Sequence, residues 1–113
     1  MKIYHDGPVA QGELYIRRID TIPPGLEPVA AEGGHTILGH SETGHHHVMD
    51  ARTTTLYRLP EEIYELFLTV SEDTPLTHLR DFDTHEPILF PAGNYVVRRQ
   101  REYTPEGWRR AAD

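Results

Sequence analysis

The chain contains no cysteine. That excludes disulfides, thiolate zinc sites, iron–sulfur clusters and cysteine nucleophiles, and leaves His, Asp and Glu as the only side chains able to hold a metal ion. Serine is almost as scarce: Ser41 and Ser71 stand alone, neither lies in a nucleophile elbow, and no glycine-rich phosphate loop is present. Basic residues are also few, with 11 Lys plus Arg against 18 Asp plus Glu for a formal charge of −7. This balance speaks against a general nucleic-acid binder, which needs Lys and Arg clustered over a whole face. No apolar run is long enough to span a bilayer, and the opening Met1-Lys2-Ile3-Tyr4-His5-Asp6-Gly7-Pro8 has no core suited to a signal peptide. The expectation is a cytoplasmic protein with no membrane partner.

The 113 residues, 37% hydrophobic and 26% charged, suit a single globular domain with a modest core. That domain spans residues 1–113, with an N-terminal arm at 1–12 and a C-terminal tail at 104–113. Short segments rich in β-branched and aromatic residues read as strands at 13–19, 35–40, 45–50, 53–59, 76–79, 87–90 and 94–103. They are separated by Gly and Pro turns, and 20–34, with three prolines and three glycines, reads as an irregular loop. The segment 61–70 is ambiguous. Ile63, Leu66, Phe67 and Val70 fit a helical stripe, whereas Tyr64, Leu66, Leu68 and Val70 alternate as in a strand, and the flanking strands favour the second reading. Seven or eight short antiparallel strands with little helix make the expected fold all-β, a small β-barrel or sandwich.

Histidine is the residue in excess. Seven of the eight histidines, all but His5, lie on or beside the strands from 35 to 47 and the stretch from 78 to 85. In a strand, residues two apart share a face, so His45 and His47 point one way and His46 the other. A hairpin closed by Ser41-Glu42-Thr43-Gly44 sets His40 opposite His45, which would crowd three imidazoles on one patch. A His-x-His pair offers two nitrogens to one ion, and the remaining ligands would come from His85, His78, His40 or Glu42, with Asp50 as a further carboxylate. Such a set, with an open position, suits divalent zinc, iron, manganese or nickel, and the simplest chemistry on a small-molecule substrate is hydrolysis through metal-bound water. The plainer readings are histidines that bind metal adventitiously and a pH-responsive cluster. Arg98, Arg99, Arg101, Arg109 and Arg110, interleaved with Tyr95, Tyr103 and Trp108, could meet nucleic acid. The preferred reading pairs them, internally or across a homo-oligomer interface, with the acidic span from Glu61 to Glu86. The competing function class is therefore a non-catalytic accessory or interaction module acting as a homo-oligomer.

The blocks Gly12-Glu13-Leu14-Tyr15-Ile16-Arg17-Arg18, Glu42-Thr43-Gly44-His45-His46-His47, His85-Glu86-Pro87-Ile88-Leu89-Phe90-Pro91-Ala92-Gly93-Asn94-Tyr95 and Arg99-Gln100-Arg101-Glu102-Tyr103 resemble a group of small uncharacterised proteins of bacteria and tailed phages. That resemblance covers most of the chain and implies no particular activity. A weaker likeness is to cupins, whose small β-barrels use a glycine-preceded His-x-His strand, a Glu and a later His. Gly44-His45-His46-His47 and Pro91-Ala92-Gly93 echo those pieces, although no histidine follows Pro91.

Overall fold

The computed structural model describes residues 1–5, 7–39, 46–61, 65–78 and 86–99, together with the backbone of His40, Arg101–Thr104 and Gly107–Arg110. Thirteen strands follow one another: β1 (Lys2–Ile3), β2 (Val9–Gln11), β3 (Leu14–Ile19), β4 (Glu27–Val29), β5 (His35–His40), β6 (His46–Asp50), β7 (Thr54–Arg58), β8 (Glu65–Val70), β9 (Thr74–His78), β10 (Ile88–Phe90), β11 (Gly93–Arg99), β12 (Arg101–Thr104) and β13 (Gly107–Arg110). They form a five-stranded sheet in the order β1-β10-β9-β6-β5 and a six-stranded sheet in the order β2-β3-β11-β8-β7-β4, while β12 and β13 pair as a separate hairpin. The fold is all-β. Its two sheets make it sandwich-like, not a closed barrel. Among the described residues no helix is long and apolar enough to cross a membrane.

The strand count exceeds the seven or eight expected because several strands are only two or three residues long. The presumed N-terminal arm supplies β1 and β2, which join different sheets, and the irregular 20–34 stretch contains β4. The residues of the expected long terminal strand are shared between β11 in the six-stranded sheet and β12 in the separate hairpin, and 107–110 is strand within the expected tail.

The inward faces follow strand alternation. Leu14 and Ile16 on β3, Leu66, Leu68 and Val70 on β8, and Tyr95 and Val97 on β11 pack against Leu38, Met49, Leu76, Ile88 and Phe90 from the other sheet. Tyr4, between β1 and β2, stacks on Phe90 at 5.2 Å and meets Tyr95 edge-on at 5.3 Å. Its hydroxyl accepts the Arg18 N–H at 2.8 Å, so the chain joining the two sheets is itself pinned in the core.

The outer face of the six-stranded sheet carries two buried apolar residues among its polar ones. Arg17, Val96, Phe67, Tyr57 and Pro28 form one cross-strand row on it. Phe67 and Val96 are only 7% and 9% exposed although neither belongs to the core cluster. The chain leaves β3 at Ile19 and re-enters the sheet on its far edge as β4, whose first residue Glu27 pairs with Arg58 at the opposite end. Asn94 on the outer face donates its amide to the Asp20 carbonyl at 3.0 Å, and Ile22, Pro23 and Leu26 of this connection are half-buried.

A buried polar pole between the sheets

One end of the sandwich collects most of the polar groups singled out in the sequence. β5 ends and β6 begins there, with His40 paired to His46 and Gly39 to His47. On the other side of β6, His47 is in register with His78 at the end of β9. The β2–β3 turn lies at the same end, because Gln11 pairs with Leu14 and Leu14 with Arg99 at the end of β11.

The hairpin register differs from the expected one. His40 faces His46 because a bulge between Ile37 and Gly39 inserts one residue into β5. The expected opposition of His40 and His45 is therefore replaced by that of His40 and His46. The bulge leaves the Leu38 carbonyl turned out of the ladder, where Arg99 donates Nε and Nη2 to it at 3.2 and 3.1 Å. Arg98 pairs with Glu65 at 2.7 Å, so one arginine of the basic strand does meet the acidic span while its neighbour clamps the opposite sheet.

At the centre of the pole, His47 and Glu13 are 0% exposed and His78 is 1% exposed. Burying two imidazoles and a carboxylate in so small a core is costly unless their polar atoms are engaged, and such groups concentrate where proteins bind or react. Three devices hold them. Gln11 Oε1 lies 2.8 Å from His47 Nδ1, while its Nε2 donates to the carbonyls of Leu76 and Glu86 at 3.2 and 3.3 Å. Gly12 has φ +57° at the first central position of the two-residue β2–β3 turn, a conformation glycine adopts without penalty. A Cβ there would lie 2.7 Å from Cε1 and 2.8 Å from Nε2 of His47, so the missing side chain is the cradle into which the ring fits. Gly39 plays the same part for Leu14 and the Glu13 carboxylate, which a Cβ would meet at 3.0 and 3.4 Å.

His47 and His78 stack almost face to face, with centroids 4.2 Å apart and planes 6° from parallel. Imidazoles bind a metal in the ring plane at about 2.0–2.1 Å, so two rings sharing an ion must direct their lone pairs to one point. Parallel rings direct them side by side. As arranged, one of the pair can serve an ion while the other packs on it.

Among the described residues no three His, Asp or Glu side chains converge within reach of one ion. Of the residues proposed from sequence, His47 and His78 are brought together. His45, His85 and Glu42 lie outside the described residues, as does the side chain of His40. Asp50 is not at this pole; Arg52 binds its carboxylate at 2.7 Å and holds its pKa down at about 2. His5 and His35 are exposed. Gln11, Glu13 and Arg99 complete the pole without having been anticipated there. No spacing rule marks a Gln-Gly-Glu turn, and only its glycine signalled a bend.

Residues 10–100 match the profile of a domain of unknown function, DUF8820. The chain belongs to the DUF8820 family. The match runs from the end of β2 to the residue after β11 and so takes in the whole polar pole. No curated protein and no solved structure matches the chain.

Proposed function

We propose that this DUF8820 domain binds a divalent metal ion at the polar pole, with His47 as the anchoring ligand and His45, His85, Glu42 or Glu13 completing the set. The observation that carries this reading is the fully buried His47 ring, seated in the Gly12 cradle beside His78 and Glu13. The donor chemistry fits zinc, iron, manganese or nickel, since imidazole nitrogen and carboxylate oxygen suit all four. A bound ion would supply Lewis acidity for hydrolysis of a small substrate. The chain's own contribution is to keep one imidazole dry, oriented and backed by a second ring.

The test is metal uptake by protein purified without an affinity tag, measured by calorimetry and elemental analysis with zinc, manganese, ferrous iron and nickel. One ion per chain is expected, lost in His47→Gln and weakened in His45→Ala, with both variants folded by circular dichroism. Unchanged stoichiometry and affinity in both variants would overturn the reading and favour a non-catalytic interaction module.

A further inference from the structure

Gln11 joins three segments of the pole, and its geometry fixes more than position. Both groups near its Nε2, the carbonyls of Leu76 and Glu86, can only accept hydrogen bonds, so that end of the side chain must be the NH2 group. The end facing His47 is therefore the carbonyl oxygen, which can only accept. It follows that His47 Nδ1 carries a proton and donates it to Gln11 Oε1 across 2.8 Å. In the neutral imidazole the lone pair then sits on Nε2, the edge that lies over Gly12. The same amide ends at the Leu76 and Glu86 carbonyls, so one side chain ties the His47 ring to the backbone of β9 and of the entry to β10.

We infer that Gln11 is the positioning residue of the pole: it selects the Nδ1–H tautomer of His47, makes Nε2 the ligating nitrogen, and ties the ring to the backbone of Leu76 and Glu86. Its 4% exposure supports the role, because a dry amide between fixed carbonyls cannot exchange its two ends for water. The choice of Nε2 as ligand rests on the metal reading above, whereas the tautomer does not.

Long-range proton–nitrogen correlation spectra of metal-free protein carrying 15N-histidine read the tautomer directly. The wild type is expected to show a protonated Nδ1 and a pyridine-type Nε2 for His47. In Gln11→Leu the acceptor is gone, so a mixture of tautomers is expected and zinc affinity falls about 10–100-fold, the usual cost of losing a group that orients a ligand. Gln11→Glu can still accept from Nδ1 but cannot donate to Leu76 and Glu86, so it should keep the tautomer while still binding zinc more weakly. A wild-type His47 protonated on Nε2 would overturn the inference even if metal binds, as would Gln11→Leu with unchanged tautomer and affinity. A wild type with the expected tautomer that takes up no metal would support the orienting role and sink the metal reading instead. If Gln11→Leu does not fold, the wild-type spectrum still decides.

Discussion

Replacing Gly12 by alanine puts one methyl group against the ring on which the proposed site depends. Two costs follow. An alanine held at φ +57° pays about 1–2 kcal/mol for the left-handed conformation. The added Cβ, 2.7–2.8 Å from two ring atoms, also demands a shift by a fully buried side chain, and overpacking of that kind costs about 1–3 kcal/mol. The total, about 2–5 kcal/mol, is a large share of the roughly 5–15 kcal/mol that stabilises a domain. Gly33 supplies the control, since its φ of +59° is nearly the same and nothing lies within 4 Å of its would-be Cβ. Gly33→Ala should pay only the backbone cost, and the unfolded-state gain common to both substitutions cancels in the comparison. Urea denaturation followed by circular dichroism should place Gly12→Ala below Gly33→Ala by about 1–3 kcal/mol. Adding His47→Ala to Gly12→Ala should cost less than the sum of the single changes, because the clash disappears with the ring. Equal destabilisation by the two glycine substitutions would refute the packing of His47 on Gly12.

Arg99→Met keeps the apolar stem but removes both bonds to the Leu38 carbonyl at the bulge, and should cost about 1–3 kcal/mol in the same assay. Phe90→Ala empties the centre of the Tyr4–Phe90–Tyr95 cluster and should cost about 3–5 kcal/mol, with loss of the near-ultraviolet dichroism of the tyrosines. The Arg52 guanidinium lowers the Asp50 pKa from 3.8 to about 2, so the stability from that pair is present above pH 3.8 and is lost as the pH falls towards 2. Asp50→Asn should flatten that part of the acid profile, and a carboxyl titration by NMR would show the midpoint directly. Burial raises the Tyr95 pKa above its ordinary value of 10.0, so its contribution is whole below pH 10 and declines as the pH rises through the shifted value. Tyr95→Phe should remove that alkaline dependence, along with the bond to the Pro91 carbonyl at 2.6 Å.

Alternation and turn residues made the fold class legible, because each sheet has one face in a shared core. The ambiguity at 61–70 has a physical origin in Phe67. It lies outside the core cluster yet is buried, so the apolar pattern mixes two kinds of burial and imitates a helical stripe. The short strands at 2–3, 9–11 and 27–29 were not legible, since two or three residues carry no periodicity and owe their conformation to partners far along the chain. At the pole, His47 was singled out by its spacing to His45, and its stacking on His78 was marked by neither spacing nor composition. The bulge at Leu38 shifted the hairpin by one residue, and nothing in His35-Thr36-Ile37-Leu38-Gly39-His40 beyond the glycine marks it.

The pairing of β1 with β10 sets an order on biosynthesis. Lys2 and Ile3 are made before their partners Ile88 and Leu89, and the strands between them include most of both sheets. Until Ile88–Phe90 has emerged the five-stranded sheet cannot be completed, and Tyr4 lacks Phe90 and Tyr95, the aromatic neighbours it has in the native core. Completing that sheet requires closure of a loop from Ile3 to Ile88, and contacts so distant in sequence generally slow folding. The nascent chain, with its apolar strand edges open, is the species a cell would have to guard.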